Sequence, residues 1–187
     1  MDRLPTELAR LAAAAKPESG APGAPRDCGH FDIRIAQDGS WFYRGSPINR
    51  AALVRLFSSV LERSDAGDYW LLTPAERGRI DVDDAPFLAV ALEVQNPGPA
   101  QTLRFRTNIE DWVTLNAGHP LRLRRDTVTG ADIPYILVRQ RLEARLARPV
   151  YYELIELGRE ERVGDTAQFG IWSTGTFFPL ASTATIR

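Results

Sequence analysis

The sequence is poor in the residue types that carry most metal and redox chemistry. Among its 187 residues Cys28 is the only cysteine, and there are two histidines. A single cysteine excludes an intrachain disulfide and a Cys-x-x-Cys motif, and it favours a reducing compartment. Lys16 is the only lysine, so arginine supplies nearly all of the positive charge. We therefore predict no metal site and no cofactor.

The chain also lacks a strong net charge and a long apolar run. A formal charge of −1 and a pI near 6.2 provide no general attraction to nucleic acid or to an anionic membrane. The first residues, MDRLPTELARLAAAAK, contain Asp2 and Glu7 and make a poor secretory signal, and nothing later approaches a membrane-spanning length. We expect a cytoplasmic protein with neither nucleic acid nor membrane as partner.

The common catalytic and nucleotide-binding motifs are absent. The sequence contains no P-loop, no GxGxxG after a strand, no GxSxG and no HExxH. Cys28, His30 and Asp32 alternate along a predicted strand and could share one face as metal ligands, but a solvated face explains the same alternation. The acidic run Asp81–Asp84 lacks EF-hand spacing and is interpreted as a solvated junction. No catalytic residue is predicted.

The composition of the N-terminal region is typical of a loosely held arm. Leu4, Leu8 and Leu11 fall on one helical face and predict a short helix over residues 5–15. The following PESGAPGAPR, residues 17–26, is rich in the residues that break regular structure. We expect residues 1–26 to lie outside the packed part of the molecule.

A β-rich unit with one helix follows the arm. Phe31, Ile33 and Ile35 alternate with polar residues, as in a half-buried strand, and Asp38-Gly39 is a hairpin signal. Asn49 is expected to cap a helix over residues 50–63. The apolar stripe of that helix comprises Leu53, Leu56, Phe57, Val60 and Leu61.

Landmarks of this unit recur in order after NPGPAQ, residues 96–101. Trp41 is matched with Trp112, Pro47 with Pro120, YWLLT with YYELI, and VDDAPFLAVA with VGDTAQFGIW. Their conserved order predicts two fused copies of one small α+β unit, with the insertion RRDTVTGADIP in the second. The predicted domains are an arm and linker at 1–26, a first repeat at 27–96 and a second repeat at 97–187.

Several stretches resemble a bacterial family known as domain of unknown function 1285. They are DCGHFDIRIAQDGSWFYRGSPINRAALVRLFSSVL, LLTPAERGRIDVDDAPFLAVAL, FRTN, VRQRLEARLARPVYYEL and GIWSTGTFF, within about residues 27–180. The resemblance implies that each repeat is a curled antiparallel half-barrel sheet packed around a helix. It implies no established activity, although a role in signal transduction or small-molecule sensing is suggested for the family.

The hypothesis we favour is a non-enzymatic cytoplasmic protein that binds a small polar or anionic ligand or has a regulatory role. Half-barrel units leave concave faces where pockets commonly form, and arginines suit an anionic ligand. The candidate ligand-binding residues are Arg34, Tyr43, Arg44, Arg106, Asn108 and Arg139.

Two other function classes stay open. One is a protein–protein interaction module, including a homo-oligomer that associates through an exposed sheet edge. The other, with less support, is a hydrolase or a metal-dependent enzyme built on residues such as Cys28 and His30.

Overall fold

The chain folds into two compact units, Met1–Pro86 and Phe87–Arg187. The computed structural model describes residues 6–15, 24–98, 100–164 and 166–182. The division falls before the boundary expected at residue 96. The reason is strand β7 (Phe87–Gln95), whose hydrogen-bonded neighbours both belong to the second unit.

The first unit contains one six-stranded sheet in the order β3-β2-β1-β6-β5-β4. Two antiparallel three-stranded segments meet at its centre, where β1 and β6 run parallel. The register between those two strands shifts twice, and such irregularities bend a sheet. Its strands are β1 (Arg26–Ile35), β2 (Trp41–Tyr43), β3 (Ser46–Pro47), β4 (Leu61–Arg63), β5 (Tyr69–Leu72) and β6 (Glu76–Val82).

The second unit repeats this topology. Its sheet has the order β9-β8-β7-β12-β11-β10, and its first and last strands again form the central parallel pair. The predicted α+β fold of two tandem half-barrels is therefore confirmed. Besides β7, the strands are β8 (Thr102–Thr107), β9 (Trp112–Thr114), β10 (Leu121–Arg125), β11 (Asp132–Arg139) and β12 (Leu142–Leu146).

The landmark residues of the two repeats were nevertheless matched wrongly. Trp41 lies on β2, the second strand of its unit, whereas Trp112 lies on β9, the third. YWLLT is mostly strand β5, but YYELI lies in helix α3 (Arg148–Glu156). Runs of aromatic and aliphatic residues suit a buried strand and a packed helix alike, so their order did not reveal their topological positions.

Helix α2 (Ala51–Ser59) is shorter than the predicted 50–63. Leu61, expected on its stripe, instead begins β4 and pairs with Leu71. The N-cap is Arg50 rather than Asn49, and it makes no side-chain capping hydrogen bond. The helix is held by packing, since Leu53 and Phe57 are buried and the Phe57 ring stacks 6.4 Å from Trp41.

The N-terminal segment is packed, contrary to expectation. Helix α1 (Thr6–Ala14) buries Leu8 and Leu11 in the first unit and contacts α2. Burial of two leucines is worth about 3–6 kcal/mol as an upper bound, which is enough to hold a short helix in place. Of the rest of the predicted arm, residues 1–5 and 16–23 lie outside the described residues, and Arg26 already belongs to β1.

A third sheet completes the second unit and was not predicted as a separate element. It consists of β13 (Arg159–Val163), β14 (Thr166–Ser173) and β15 (Thr176–Ser182). The buried Ser173 hydroxyl donates to the Leu115 carbonyl at 2.7 Å and accepts from the Leu103 amide at 3.0 Å. These bonds attach β14 to β8 and to the segment that follows β9. No helix in the described part of the chain is long and apolar enough to cross a bilayer.

Candidate functional site

A cleft lies between helix α1 and the sheet of the first unit, and we call it the α1 cleft. Its volume is about 100 Å³. Acidic and basic groups face each other across it, because polar side chains of α1 contact residues of β2, of the turn after β2 and of the start of β6. Its polar lining is formed by Glu7, Arg10, His30, Asp32, Tyr43, Arg44 and Glu76.

The Glu7 carboxylate is held by two donors of the cleft. The Tyr43 hydroxyl donates to Oε2 at 2.5 Å, and Arg44 Nη2 donates to the same oxygen at 2.7 Å. The hydrogen bond from Tyr43 and the charge of Arg44 lower the pKa of Glu7. Burial of Tyr43, together with its bond to Glu7, raises the pKa of the phenol. The arrangement therefore favours an ionised carboxylate beside a protonated phenol.

Arg44 is presented by a tight hairpin turn. Tyr43 pairs with Ser46, which leaves Arg44 and Gly45 as a two-residue loop with φ values of +49° and +75°. Positive φ at both central residues is the mark of a type I′ turn, in which Asn-Gly is preferred. The guanidinium reaches Asp32 at 3.5 Å and lies 5.2 Å above the Tyr43 ring.

Arg34, the third predicted residue of this unit, is not part of the α1 cleft. Its guanidinium donates to Asp83 at 2.7 Å and lies 5.1 Å from the Phe42 ring centre. The structure thus brings Tyr43 and Arg44 together and places Arg34 in a separate surface ion pair.

The second unit carries a larger depression, which we call the Trp112 groove. Its volume is about 380 Å³, and it is broadly open to solvent. Strand β9, the turn that follows it and the end of β11 form its walls. The lining residues are Asp111, Trp112, Val113, Thr114, Asn116, His119, Val138 and Arg139.

Arg139 is the predicted ligand-binding residue that lines this groove. Its side chain is 33% exposed, its guanidinium lies 5.1 Å from the Phe87 ring centre, and Asp111 is 3.8 Å away. Burial lowers the pKa of Arg139, and the charge of Asp111 acts in the opposite direction. An arginine stays protonated under such conditions, so the groove holds a positive charge that is partly removed from water.

Trp112 contributes an exposed aromatic surface. Its side chain is among the few large hydrophobic ones that are exposed, at 42%, and Arg104 lies 5.0 Å from its ring centre. An exposed indole next to cationic side chains is suited to stacking against a flat ring.

The turn after β9 fixes the orientation of His119. Asn116 Oδ1 accepts hydrogen bonds from the amides of Gly118 and His119 at 2.8 and 3.0 Å. His119 Nδ1 lies 3.1 Å from the Leu137 carbonyl oxygen. A carbonyl only accepts, so Nδ1 carries the proton and Nε2 of the neutral ring is an acceptor.

Arg106 and Asn108 do not line the groove. Arg106 Nη1 donates to both carboxylate oxygens of Glu110, at 2.9 and 2.8 Å. Asn108 Oδ1 accepts from the backbone amide of Leu88 at 3.0 Å, and the backbone amide of Asn108 donates to the Leu88 carbonyl at 2.8 Å. Asn108 thereby joins the loop after β8 to β7, which is a structural contribution.

The Cys28, His30 and Asp32 side chains have separate partners. Gly29 adopts φ +72° and the strand register shifts before His30, which interrupts the alternation that would align the three. His30 Nε2 lies 3.2 Å from Asp81, and Asp32 lies near Arg44. Within residues 6–15, 24–98, 100–164 and 166–182, no group of three or more His, Cys, Asp or Glu side chains is arranged to hold a metal ion.

The sequence did not identify most residues of these two sites, among them Glu7, Trp112 and His119. Glu7 lies in the segment expected to be an arm, Trp112 enters only as a landmark of the repeat, and His119 belongs to no predicted motif. The signal for Glu7 was present in Glu7-Leu8-x-x-Leu11, an acid beside an apolar helical face, because such a face requires a surface to cover it.

Two family models together match most of the chain. Residues 23–85 match the model described as "Domain of unknown function (DUF1285), N-terminal domain". Residues 86–180 match "Protein of unknown function (DUF1285), C-terminal domain". The boundary between the two matches lies within one residue of the boundary between the two compact units.

Solved structures agree with this assignment. A DUF1285 family protein from Silicibacter pomeroyi DSS-3 is 44% identical, with 96% of this chain and 97% of that chain covered and a TM-score of 0.83. A DUF1285 family protein from Shewanella baltica OS155 is 27% identical, with 67% and 91% covered and a TM-score of 0.53. None of the curated proteins compared with the chain matches it. On its sequence and on its fold, the chain belongs to the DUF1285 family.

Proposed function

We propose that the protein is a non-enzymatic, cytoplasmic ligand-binding protein with a regulatory role, and that the Trp112 groove binds a small anionic compound containing a flat ring. The observation that carries the proposal is the half-buried guanidinium of Arg139 in the same groove as the exposed indole of Trp112. An aromatic carboxylate or a mononucleotide combines the two complementary features.

Arg139 supplies the charge for the anionic part of the ligand. Asp111 lies 3.8 Å from its guanidinium, whereas the shortest arginine ion pairs of the described residues measure 2.7–2.9 Å. A carboxylate or phosphate that formed a shorter, bidentate contact would gain a charge-assisted hydrogen bond in a partly desolvated place. Because Arg139 is 33% exposed, a charge-assisted hydrogen bond at its guanidinium is screened less by water than one at Arg125, which is 68% exposed.

Trp112 and the polar wall supply orientation. A flat ring stacked on the indole covers apolar surface that is now in contact with water. With Nδ1 donating to Leu137, Nε2 is the nitrogen through which the neutral tautomer of His119 accepts a hydrogen bond from a ligand N–H group. Stacking, an acceptor and a cation together select a shape as well as a charge.

The openness of the groove supports reversible binding rather than catalysis. Enzymes usually exclude water from the reacting groups, whereas this groove is broad and faces solvent. At about 380 Å³ it lies near the lower end of the size of small-molecule sites, roughly 300–1,000 Å³.

A thermal-shift screen with defined probes tests the proposal. The probes are AMP, benzoate, indole-3-acetate and inorganic phosphate, each at up to 5 mM, which we set at about 100 times a dissociation constant of 50 µM. We expect an aromatic anion to raise the melting temperature and phosphate alone to do so weakly. Arg139→Gln and Trp112→Ala should each weaken binding at least tenfold, which is about 1.4 kcal/mol.

The matched control is Arg125→Gln, which changes an arginine that is 68% exposed and paired with Asp132 at 3.7 Å. It should bind like the wild type. If no aromatic anion stabilises the protein, or if Arg139→Gln binds as well as Arg125→Gln, the proposal is wrong.

A further inference from the structure

Helix α1 forms one wall of the α1 cleft, and the sheet residues of the opposite wall are the surface on which the helix packs. We propose that this surface is a docking site for an amphipathic helix of another protein with the pattern Glu-Leu-x-Arg-Leu, and that α1 is an internal copy of that pattern which blocks the site. The proposal concerns the first unit alone and does not depend on the small-molecule site of the second.

The cleft recognises charge at two points of the helix. Glu7 is held by Tyr43 and Arg44, at 2.5 and 2.7 Å. One turn further along, Arg10 Nη2 contacts Glu76 at 3.2 Å. Residues three apart on a helix share a face. Tyr43 and Arg44 at one end of the cleft accept only an acidic residue, and Glu76 at the other end accepts only a basic one. The two ends therefore fix both the direction and the register of a bound helix.

An apolar strip joins the two charged ends. Leu8 and Leu11 are each 4% exposed and lie in the lining of the cleft. Glu7, Leu8, Arg10 and Leu11 therefore all contribute to one interface, and the intervening Ala9 is exposed. This set of contacts defines the partner as a helix with acidic, apolar and basic positions in that order.

Residues 16–25 connect the helical turn at Ala15 to β1, which begins at Arg26. The Arg26 amide donates to the carbonyl of Ala75, next to the Glu76 that contacts Arg10, so the helix and the start of β1 meet the same short segment. The ten residues 16–25 can span about 33 Å when extended, far more than this proximity requires. The contacts, rather than the length of the connection, hold α1 in place, and a competing helix can replace it.

Helix α1 does not fill the space against the sheet. A cleft of about 100 Å³ that is partly open to solvent lies beside it, and the helix has only nine residues. A partner helix with larger side chains facing the cleft would bury more apolar surface, so it could displace the internal copy.

The position of Arg44 supplies a clean test variant. Arginine occupies the first central position of a type I′ turn at φ +49°, where asparagine is preferred. Arg44→Asn removes the guanidinium from the cleft and leaves a residue that suits the turn. A loss of helix binding in this variant could not be attributed to a damaged hairpin.

Hydrogen exchange of the full-length protein measures whether α1 opens by itself. We expect the amides of α1 to exchange at least tenfold faster than those at the centre of β1 and β6, because α1 opens locally. Glu7→Gln should accelerate exchange in α1 about fivefold and leave β6 unchanged. Exchange of α1 only through global unfolding would overturn the proposal.

Peptide binding tests recognition directly. The protein is the full-length Leu8→Asp variant, in which the internal helix is weakened, and the probe is a fluorescent peptide with the sequence of residues 4–16. We expect the variant to bind the peptide at least tenfold more tightly than the wild type does. Addition of Arg44→Asn should weaken binding at least tenfold, whereas Arg125→Asn in the same background should not.

A second peptide in which Gln replaces Glu7 should bind at least fivefold more weakly than the first. Equal binding of the two peptides, or no binding by a Leu8→Asp protein whose circular dichroism is native, would contradict the proposal. A wild-type dimer in sedimentation that disappears in Glu7→Gln would also contradict it, since α1 would then serve a second copy of the chain.

Discussion

Gly78 on β6 lies directly beneath the ring of Phe31 on the neighbouring strand β1. A Cβ atom at position 78 would lie 2.5 Å from Phe31 Cε2, a distance shorter than Cβ atoms show in protein structures. The glycine therefore permits the aromatic ring to cover the central parallel pair of the first sheet. Two further glycines of the molecule have the same relationship to aromatic rings, Gly158 to Phe169 and Gly170 to Phe177.

The contact between Gly78 and Phe31 predicts a specific double-mutant result. Gly78→Ala should destabilise the protein by about 1–3 kcal/mol, because the added methyl group forces the ring to move. In a Phe31→Ala background the same change should cost much less, since the ring is gone. Urea unfolding of the four proteins measures the coupling, and additive effects would show that the ring does not oppose the methyl group.

Removal of the Ser173 hydroxyl should weaken the second unit. Ser173→Ala leaves the Leu115 carbonyl and the Leu103 amide without this partner in a buried place. We expect a loss of about 2–3 kcal/mol in the free energy of unfolding, measured with urea. Ser46→Ala, a change at an exposed strand serine, should cost less than about 0.5 kcal/mol. Similar losses in both variants would contradict the structural role of Ser173.

Trp41→Phe should be unusually well tolerated for a buried tryptophan. Trp41 is 2% exposed, yet its indole Nε1 has no hydrogen-bond partner in the described part of the chain. The smaller ring loses packing, but the substitution also removes a buried, unsatisfied N–H group that costs about 1–3 kcal/mol. The two effects oppose each other, so the net change should stay within about 1 kcal/mol.

Trp172→Phe is the comparison for Trp41→Phe, because Trp172 Nε1 donates to Glu161 at 3.0 Å. Thermal unfolding followed by circular dichroism measures both variants. A loss at position 41 of several times the loss at position 172 would mean that packing alone decides the outcome at Trp41.

Docking of α1 should depend on pH at both ends of the range. Hydrogen bonding and charge lower the pKa of Glu7 in the folded state. Its contribution to stability is thus present above its unfolded value of 4.5 and is lost as the pH falls through the lowered folded pKa. The pKa of Tyr43 is raised. The contribution of the protonated Tyr43 phenol to stability is complete below its usual pKa of 10.0 and is lost as the pH rises through the raised pKa of the folded state.

The difference in stability between the wild type and Glu7→Gln isolates the carboxylate from other acids whose pKa is lowered, such as Asp27 and Asp126. We expect this difference to be constant from pH 6 to pH 9 and to decrease below pH 4. Denaturant unfolding at a series of pH values measures it. A difference that increases as the solution is acidified would contradict the arrangement around Glu7.

The repeat and the strand content were predictable because they depend on local patterns. Alternation such as that of Ile33 and Ile35 specifies a half-buried strand wherever it lies in a fold. The equivalence of individual strands was not predictable, since it depends on which strands pair. Leu61 shows the same limit: it continues the apolar spacing of α2, but pairing with Leu71 draws it into β4.

The candidate sites depended still more on tertiary structure. Of the six predicted residues, Tyr43 and Arg44 meet in one cleft and Arg139 lies in a groove of the other unit. Arg34, Arg106 and Asn108 satisfy neighbouring acids or backbone groups. Residue type identified groups that can bind an anion, but only the fold decides whether their partner is already present in the same chain.

The parallel contact at the centre of each sheet has a consequence for synthesis of the chain. Asp27 and Arg77 are fifty positions apart in sequence and form an ion pair at 2.8 Å where β1 meets β6. Pairings of such large separation slow folding, because the intervening chain must be ordered first. The first unit cannot close on the ribosome until β6 has emerged, but it can then close before most of the second unit has been translated. Vectorial synthesis would thereby keep two sheets of identical topology from exchanging strands.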